Sequence, residues 1–262
     1  MRALVTGVTR GLGRLLVDHL VADGWEVVAV ARRGDALAEL ATTWGPAVTA
    51  YVADVTDAPR MAAVAAEAGE LDLVVVNAGA LQATGAFWEA DLDEWLAGVE
   101  VNLHGAAATL HGVLPGMVAR GSGRVVVLGS GIGHRPSPWV TQYSVSKAAV
   151  ARLVESLQVE LDGTGVRCFL VSPGMVRTDM TAWPDALVER LPHLGALDDD
   201  DWTPPEAFCR LVDRIAAGEV DAAAGHFLHA TDDPERVVAA VEADPTVRTL
   251  RQVAAYDGDP SA

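Results

Sequence analysis

The sequence predicts an α/β fold, with one doubly wound, Rossmann-like parallel sheet forming a single domain over residues 1–262. Three observations predict it. Short apolar, β-rich runs alternate with longer helical stretches along the chain. The composition is half hydrophobic and only 5% aromatic, with Ala, Val, Leu and Gly prominent, which suits strands buried on both faces by helices. A glycine-rich turn, Thr6 to Gly13, sits between the first apolar run and the first helical stretch.

The elements are expected in this order. Residues 3–6 read as a strand, 12–23 as a helix and 27–31 as a second strand, with a helix from about residue 35. Residues 48–52 form a third strand, with a helix after Asp57, and 73–76 a fourth. One long helix is expected over about 92–119, then a fifth strand at 124–128. A helix runs from near Tyr143 to near Gly163, followed by a sixth strand at 166–171 and a seventh at 226–229. A helical tail is expected over about 235–256, with residues 257–262 disordered. The acidic run 198–201 and the pair Pro204-Pro205 mark a loop rather than a domain break.

Charge and composition exclude some functions. The formal net charge is −17, so nucleic acids and anionic membranes are not expected partners. The two cysteines, Cys168 and Cys209, match no metal or disulfide framework, and no metal is expected. The chain starts without a signal-peptide pattern, and no apolar run approaches membrane-spanning length; a cytoplasmic setting is expected. Of 19 basic residues only Lys147 is a lysine. The only asparagines are Asn77 and Asn102, and the tyrosines are Tyr51, Tyr143 and Tyr256. Lysine and arginine differ in shape, hydration and readiness to shift pKa, so the lone lysine matters if it falls among reactive groups.

The turn Thr6-Gly7-Val8-Thr9-Arg10-Gly11-Leu12-Gly13 has GxxxGxG spacing, not the GxGxxG dinucleotide fingerprint. After a strand and before a helix, such glycines let the backbone approach a pyrophosphate held at the helix N-terminus. The second strand ends Val30-Ala31-Arg32-Arg33, without the acid that would bind a ribose 2′-hydroxyl. Arg32, together with Arg10 in the turn, therefore favours NADP(H) over NAD(H), through charge-assisted contacts to a 2′-phosphate. The plainer alternative is that Arg32 and Arg33 point into solvent.

Further motifs follow in order: Asp54-Val55 after the third strand, Asn77-Ala78-Gly79 after the fourth, Asn102 within a helix, and Ser130 after the fifth strand. Tyr143-Ser144-Val145-Ser146-Lys147 begins 13 residues after that serine, and Pro173-Gly174-Met175-Val176-Arg177-Thr178 follows the sixth strand. Together with the glycine turn, they resemble the short-chain dehydrogenase/reductase family over about residues 2–230. Asn77, Asn102 and Lys147 all fall on family positions.

The resemblance implies an enzyme that moves a hydride between a nicotinamide and a carbonyl/alcohol pair, with Asn102, Ser130, Tyr143 and Lys147 as the catalytic set. It also implies that Asp54 and Val55 hold the adenine, and that Asn77, Ala78 and Gly79 lie along the cofactor. Lys147 would bond the nicotinamide ribose, and Asn102 would hold the helix and a water leading from Lys147. Pro173 and Gly174 would end the sixth strand and turn the chain along the cofactor, and the Val176 backbone and Thr178 hydroxyl would bind the carboxamide, although Thr178 also reads as a helix N-cap.

The residues support the chemistry independently. Tyr143 and Lys147, at i and i+4, share a helix face. An ammonium beside a phenol is expected to lower a pKa that otherwise lies near 10. Ser130 can donate to the substrate oxygen as charge builds there. Read singly, the same residues fit a surface pair, a flexible turn and a satisfied core amide.

The substrate loop is expected over about 175–205. Its Met180, Trp183, Leu187, Leu191 and Leu194 suggest an apolar pocket that Trp139 and His134 also line. The family's Asp-Gly-Gly turn after the seventh strand is replaced by His229-Ala230-Thr231-Asp232-Asp233-Pro234. The resemblance implies a homodimer or homotetramer acting on a small carbonyl or alcohol, and this altered end puts the tetramer in doubt. Epimerisation or dehydration with retained cofactor, or non-catalytic cofactor sensing, are the alternatives.

Overall fold

β1 (Arg2–Thr6), β2 (Glu26–Ala31), β3 (Val48–Val52), β4 (Leu73–Val76), β5 (Gly123–Leu128), β6 (Val166–Ser172) and β7 (Phe227–His229) form one sheet in the order β3-β2-β1-β4-β5-β6-β7. Every pairing is parallel. The computed structural model describes residues 1–250. The strand order reverses between β1 and β4, and in such sheets ligands bind in the crevice at the carboxyl ends of the strands there.

Strand side chains alternate between two cores. On one face Ala3 and Val5 of β1 and Val27 and Ala29 of β2 pack with Leu16, Val17 and Leu20 of α1 (Gly11–Ala22). Leu37 and Leu40 of α2 (Gly34–Trp44) and Phe208, Val212 and Ile215 of α8 (Pro205–Ala216) complete that core. On the other face Leu4, Val28 and Val74 meet Met61 and Val64 of α3 (Ala58–Ala68), Leu110 and Met117 of α5 (Gly105–Arg120), and Val150 and Val154 of α6 (Thr141–Glu160). Full burial of strands on both faces is why β1, β4 and β5 read as continuous apolar runs.

Two elements differ from expectation. The long helix predicted over 92–119 is broken: α4 (Leu92–Val99) passes through a π-helical segment, Glu100–His104, into α5. Asn102 lies in that segment and bonds backbone outside the helix. Such bulges are common at functional sites. The predicted tail helix stops early, because α9 (Pro234–Ala243) ends before Asp244 and Pro245, and proline favours extended backbone in the residue before it. Residues 244–250 form turns instead of helix, and positions 251–262 of the predicted tail and end lie outside the described residues. Val237 and Val241 of α9 are buried in the first core.

The unusual sequence after β7 has a local role. The Asp233 carboxylate accepts from the N–H groups of Glu235 and Arg236 and caps α9, with Pro234 opening the helix. Asp232 accepts from the His229 N–H at 2.7 Å and pairs with Arg248. The Arg248 carbonyl in turn accepts from the Phe227 N–H at 3.0 Å, covering part of the sheet edge. One set of metal-type donors converges among the described residues: His19 of α1 and Asp23, which caps its C-terminus, with Asp213 of α8. His19 Nε2 lies 2.9 Å from Asp213 and 3.4 Å from Asp23, a polar tie between the two helices.

Candidate active site

The cleft begins where β1 ends. Gly7 turns the chain at φ 74°, and its N–H donates to the Val30 carbonyl at 2.8 Å. Gly13, in the first turn of α1, passes so close that a Cβ there would sit 2.3 Å from the Gly7 oxygen and 2.5 Å from Asn77 Nδ2. Asn77 locks this approach: its side-chain amide donates to the carbonyls of Thr6 at 2.8 Å and Gly7 at 3.1 Å. The fully buried Thr6 hydroxyl accepts from the N–H groups of Asn77 and Ala78, both at 3.0 Å. The end of β4 thus clamps the turn that starts α1. No acid lies in the first turn of α1, so its N–H groups and positive dipole end are free to meet an anion.

From this turn a cleft of about 360 Å³ runs in two directions. One end is walled by Arg32, Arg33, Asp54 and Val55, with Arg10 above the turn. Each arginine has an acid: Arg32 lies 3.6 Å from Asp54, Arg33 3.2 Å from Asp35, and Arg10 3.0 Å from Asp179. Burial works to raise the Asp54 carboxyl. It is outweighed by bonds from the Thr56 N–H and hydroxyl and by the Arg32 charge, so Asp54 lies below its usual range. The other end is walled by Leu128, Gly129, Tyr143, Lys147 and Pro173, with Thr178, Asp179 and Met180 across the opening. Gly7, Thr9, Gly11, Leu12, Gly13, Asn77, Ala78 and Gly79 line the middle.

α6 carries Tyr143 and Lys147 on one face, with Lys147 Nζ 5.5 Å from the centre of the Tyr143 ring. Lys147 is buried, and its Nζ donates to the Leu128 carbonyl at 2.7 Å. Burial pushes its pKa down to about 8. The expectation that the ammonium lowers the phenol is not met in this structure. Burial pushes Tyr143 up to about 12, and the pull downward comes from the hydrogen bond of Ser130. The physical reason is that desolvation of the phenolate outweighs the other influences on Tyr143, and burial also disfavours the charged form of Lys147. Ser130 does not form the cleft wall. It lies beside the phenol and accepts from the Ile132 N–H at 3.3 Å, where Gly131–His134 form a 3₁₀ turn.

Asn102 is buried and fully bonded. Its Oδ1 accepts from the Ala80 N–H at 2.7 Å, and its Nδ2 donates to the Ala80 carbonyl at 2.8 Å and to Ser146 Oγ at 2.9 Å. It ties the π segment to the loop following Gly79 and to α6, one residue before Lys147. Replacing Asn102 with Ala should cost about 1–3 kcal/mol of stability, by stranding the partly buried Ala80 backbone groups and the buried Ser146 hydroxyl. Thermal unfolding of the variant reads this directly; an unchanged midpoint would remove the clamp from the account.

Gly174 and Val176 lie behind the wall that Pro173 and Thr178 form. Gly174, at φ 78°, packs against Thr203, and the Val176 carbonyl accepts from the Thr181 hydroxyl at 2.9 Å. Thr178 lines the cleft and also opens a 3₁₀ turn, Asp179–Thr181, so both readings of it fall on one residue. Neither His134 nor Trp139 lines the cleft: the His134 ring packs edge-on against Phe227 at 4.5 Å, and the Trp139 ring lies against Arg190. Within the substrate loop Met180 reaches the cleft, Leu187 is buried, and Trp183 stacks on Trp202 at 5.9 Å. Sequence reasoning missed Thr6, Ser146 and Leu128, whose roles depend on a hydroxyl or carbonyl meeting a group distant in sequence. Only Thr6, next to the glycine turn, had a positional clue.

A nucleotide-sized cleft at the switch point of a doubly wound sheet, with a Ser-Tyr-Lys cluster at one end, defines a Rossmann-type enzyme class. The chain matches the short chain dehydrogenase family model over residues 1–186, and it belongs to the short-chain dehydrogenase/reductase family of oxidoreductases, which bind NAD(P)(H). It is 43% identical over 191 residues to an uncharacterized oxidoreductase of Myxococcus xanthus, covering 69% of this chain and 74% of that protein. It is 35% identical over 185 residues to sulfoacetaldehyde reductase 2 of Chromohalobacter salexigens, covering 68% and 73%. A short-chain dehydrogenase structure from Streptomyces avermitilis superimposes with TM-score 0.74 at 29% identity, covering 92% of each chain.

Proposed function

We propose that this chain is an NADP(H)-dependent oxidoreductase interconverting a ketone or aldehyde and the corresponding alcohol, with Tyr143 as general acid/base and NAD(H) the weaker cofactor. The observation that carries this reading is the convergence of Ser130, Tyr143 and Lys147 at one end of a cleft whose other end presents Arg10, Arg32 and Arg33. The clamped glycine turn fits a pyrophosphate, since backbone N–H groups are exposed where side chains are excluded. A relative named as a sulfoacetaldehyde reductase supports carbonyl reduction as the direction. The protein acts on a small molecule, as a homodimer or homotetramer in the cytoplasm. The exposed Phe87, Trp88, Leu92 and Leu96 around α4 support self-association.

The bound cofactor supplies or accepts the hydride. Tyr143, held protonated by burial, gives its proton to the carbonyl oxygen during reduction and takes it back during oxidation. Ser130, beside the phenol, donates to the same oxygen as negative charge develops. Lys147, buried on the Tyr143 face of α6, would bond the nicotinamide ribose.

Titration with NADPH and NADH, read by quenching of the seven tryptophans, tests the cofactor assignment. Charge-assisted bonds to a 2′-phosphate are worth about 1.5–3 kcal/mol, so NADPH should bind about 10- to 100-fold tighter. Arg32→Ala should narrow that gap. Equal or reversed affinity would overturn the NADP assignment, and failure of both nucleotides to bind would overturn the enzyme reading.

A further inference from the structure

The arginines near the cleft are answered by acids: Arg10, Arg32 and Arg33 as above, and Arg177 by Asp199. Arg190 is different. It is the last residue of α7 (Asp185–Arg190), in the substrate loop, and is exposed. In a chain with 36 acidic residues, its guanidinium meets no carboxylate among the described residues. It lies instead over the ring of Trp139, 4.9 Å from the ring centre.

Trp139 is held in place at some conformational cost. Its backbone has φ 68°, a left-handed conformation that a bulky residue adopts only when its surroundings impose it. Its carbonyl accepts from the Gly85 N–H at 2.7 Å, and the next residue, Val140, is the N-cap of α6. Trp139 therefore stands four residues before Tyr143, at the end of the segment that joins Ser130 to Tyr143. Met180, from the same loop as Arg190, lines the same cleft as Tyr143. The Arg190–Trp139 contact bridges the two segments flanking the Ser130–Tyr143 end. A cation–π contact of this kind holds the guanidinium without neutralising its charge. Arg135, on the Trp139 segment, likewise has no carboxylate partner among the described residues.

We infer that Arg190, steadied by Trp139, anchors a carboxylate on the substrate, so that the carbonyl compound taken is an oxo acid rather than a neutral ketone or aldehyde. The planar guanidinium fork matches a carboxylate bidentately, and the apolar Trp139 face holds the fork in one place. This rests on the carbonyl-reductase reading above and narrows its substrate.

The test measures NADPH oxidation with carboxy-aldehydes of two, three and four carbons (glyoxylate, malonic semialdehyde and succinic semialdehyde). Acetaldehyde, propanal and butanal are the uncharged partners of equal length. The expected result is a kcat/KM about 10- to 100-fold higher for at least one carboxy-aldehyde than for its partner, as one charge-assisted pair provides. Arg190→Gln should remove that preference, chiefly through KM, and leave the uncharged aldehydes unchanged; Arg190→Lys should restore part of it. Uncharged aldehydes matching or exceeding the acids at every length would overturn the inference, as would an Arg190→Gln loss shared equally by both sets. If NADPH binds and neither set is reduced, the carbonyl-reductase reading itself falls, and the inference with it.

Discussion

Tyr143→Phe should lower the kcat of carbonyl reduction by about 10²- to 10⁴-fold, the usual contribution of a positioned general acid, while the variant still folds and binds nucleotide. The change removes one oxygen from a half-buried ring and leaves the packing of α6 intact. Single-turnover oxidation of NADPH, alongside the tryptophan titration, separates chemistry from binding. A variant with near wild-type turnover would take the proton-transfer role away from Tyr143. The pH dependence follows from the same pair. Tyr143, pushed up to about 12, stays protonated and able to donate across the neutral and mildly alkaline range. Lys147, pushed down to about 8, loses its charge first as pH rises. Wild-type reduction should therefore decline as pH rises through about 8, with Lys147 rather than the phenol as the titrating group.

Gly13→Ala should abolish tight nucleotide binding and destabilise the fold. The added methyl would sit 2.3 Å from the Gly7 carbonyl oxygen and 2.5 Å from Asn77 Nδ2, a backbone group and a clamped amide that have no room to retreat. Overpacking of this kind costs about 1–3 kcal/mol. The turn must either open or lose its bonds to Asn77, and both displace the N–H groups aimed at a pyrophosphate. Circular dichroism melting and NADPH titration on the same sample read the two effects. A variant that binds NADPH normally would show that the close approach of Gly13 to Gly7 does not shape the phosphate site. Gly116, whose Cβ would meet nothing within 4 Å, supplies the control through Gly116→Ala.

Much of this architecture is legible in the sequence, because burial on both faces turns parallel strands into apolar runs and leaves little ambiguity of type. The misread long helix shows where that legibility ends. Residues 92–120 carry a helical pattern throughout, yet the π segment at Glu100–His104 arises from a contact across space. The Asn102 amide pairs with the backbone of Ala80, 22 residues earlier, and the helix register shifts there. Tyr143 shows the same limit in electrostatics. Its spacing to Lys147 is written in the chain, but its pKa direction depends on burial, which cannot be read from i, i+4 spacing.

The sequence by itself determined the parallel α/β fold, the family, the glycine turn and the Ser130, Tyr143 and Lys147 set, because local periodicity and short spacings report helix faces and tight turns. Only the tertiary structure decided that Asn77 and Thr6 clamp the turn, that Asn102 serves as a backbone clamp, and that Arg10, Arg32 and Arg33 each carry an acid. The tertiary structure alone also decided that Arg190 meets Trp139. These are contacts between residues far apart in sequence, made by side chains whose partners the chain does not specify until the sheet has brought them together.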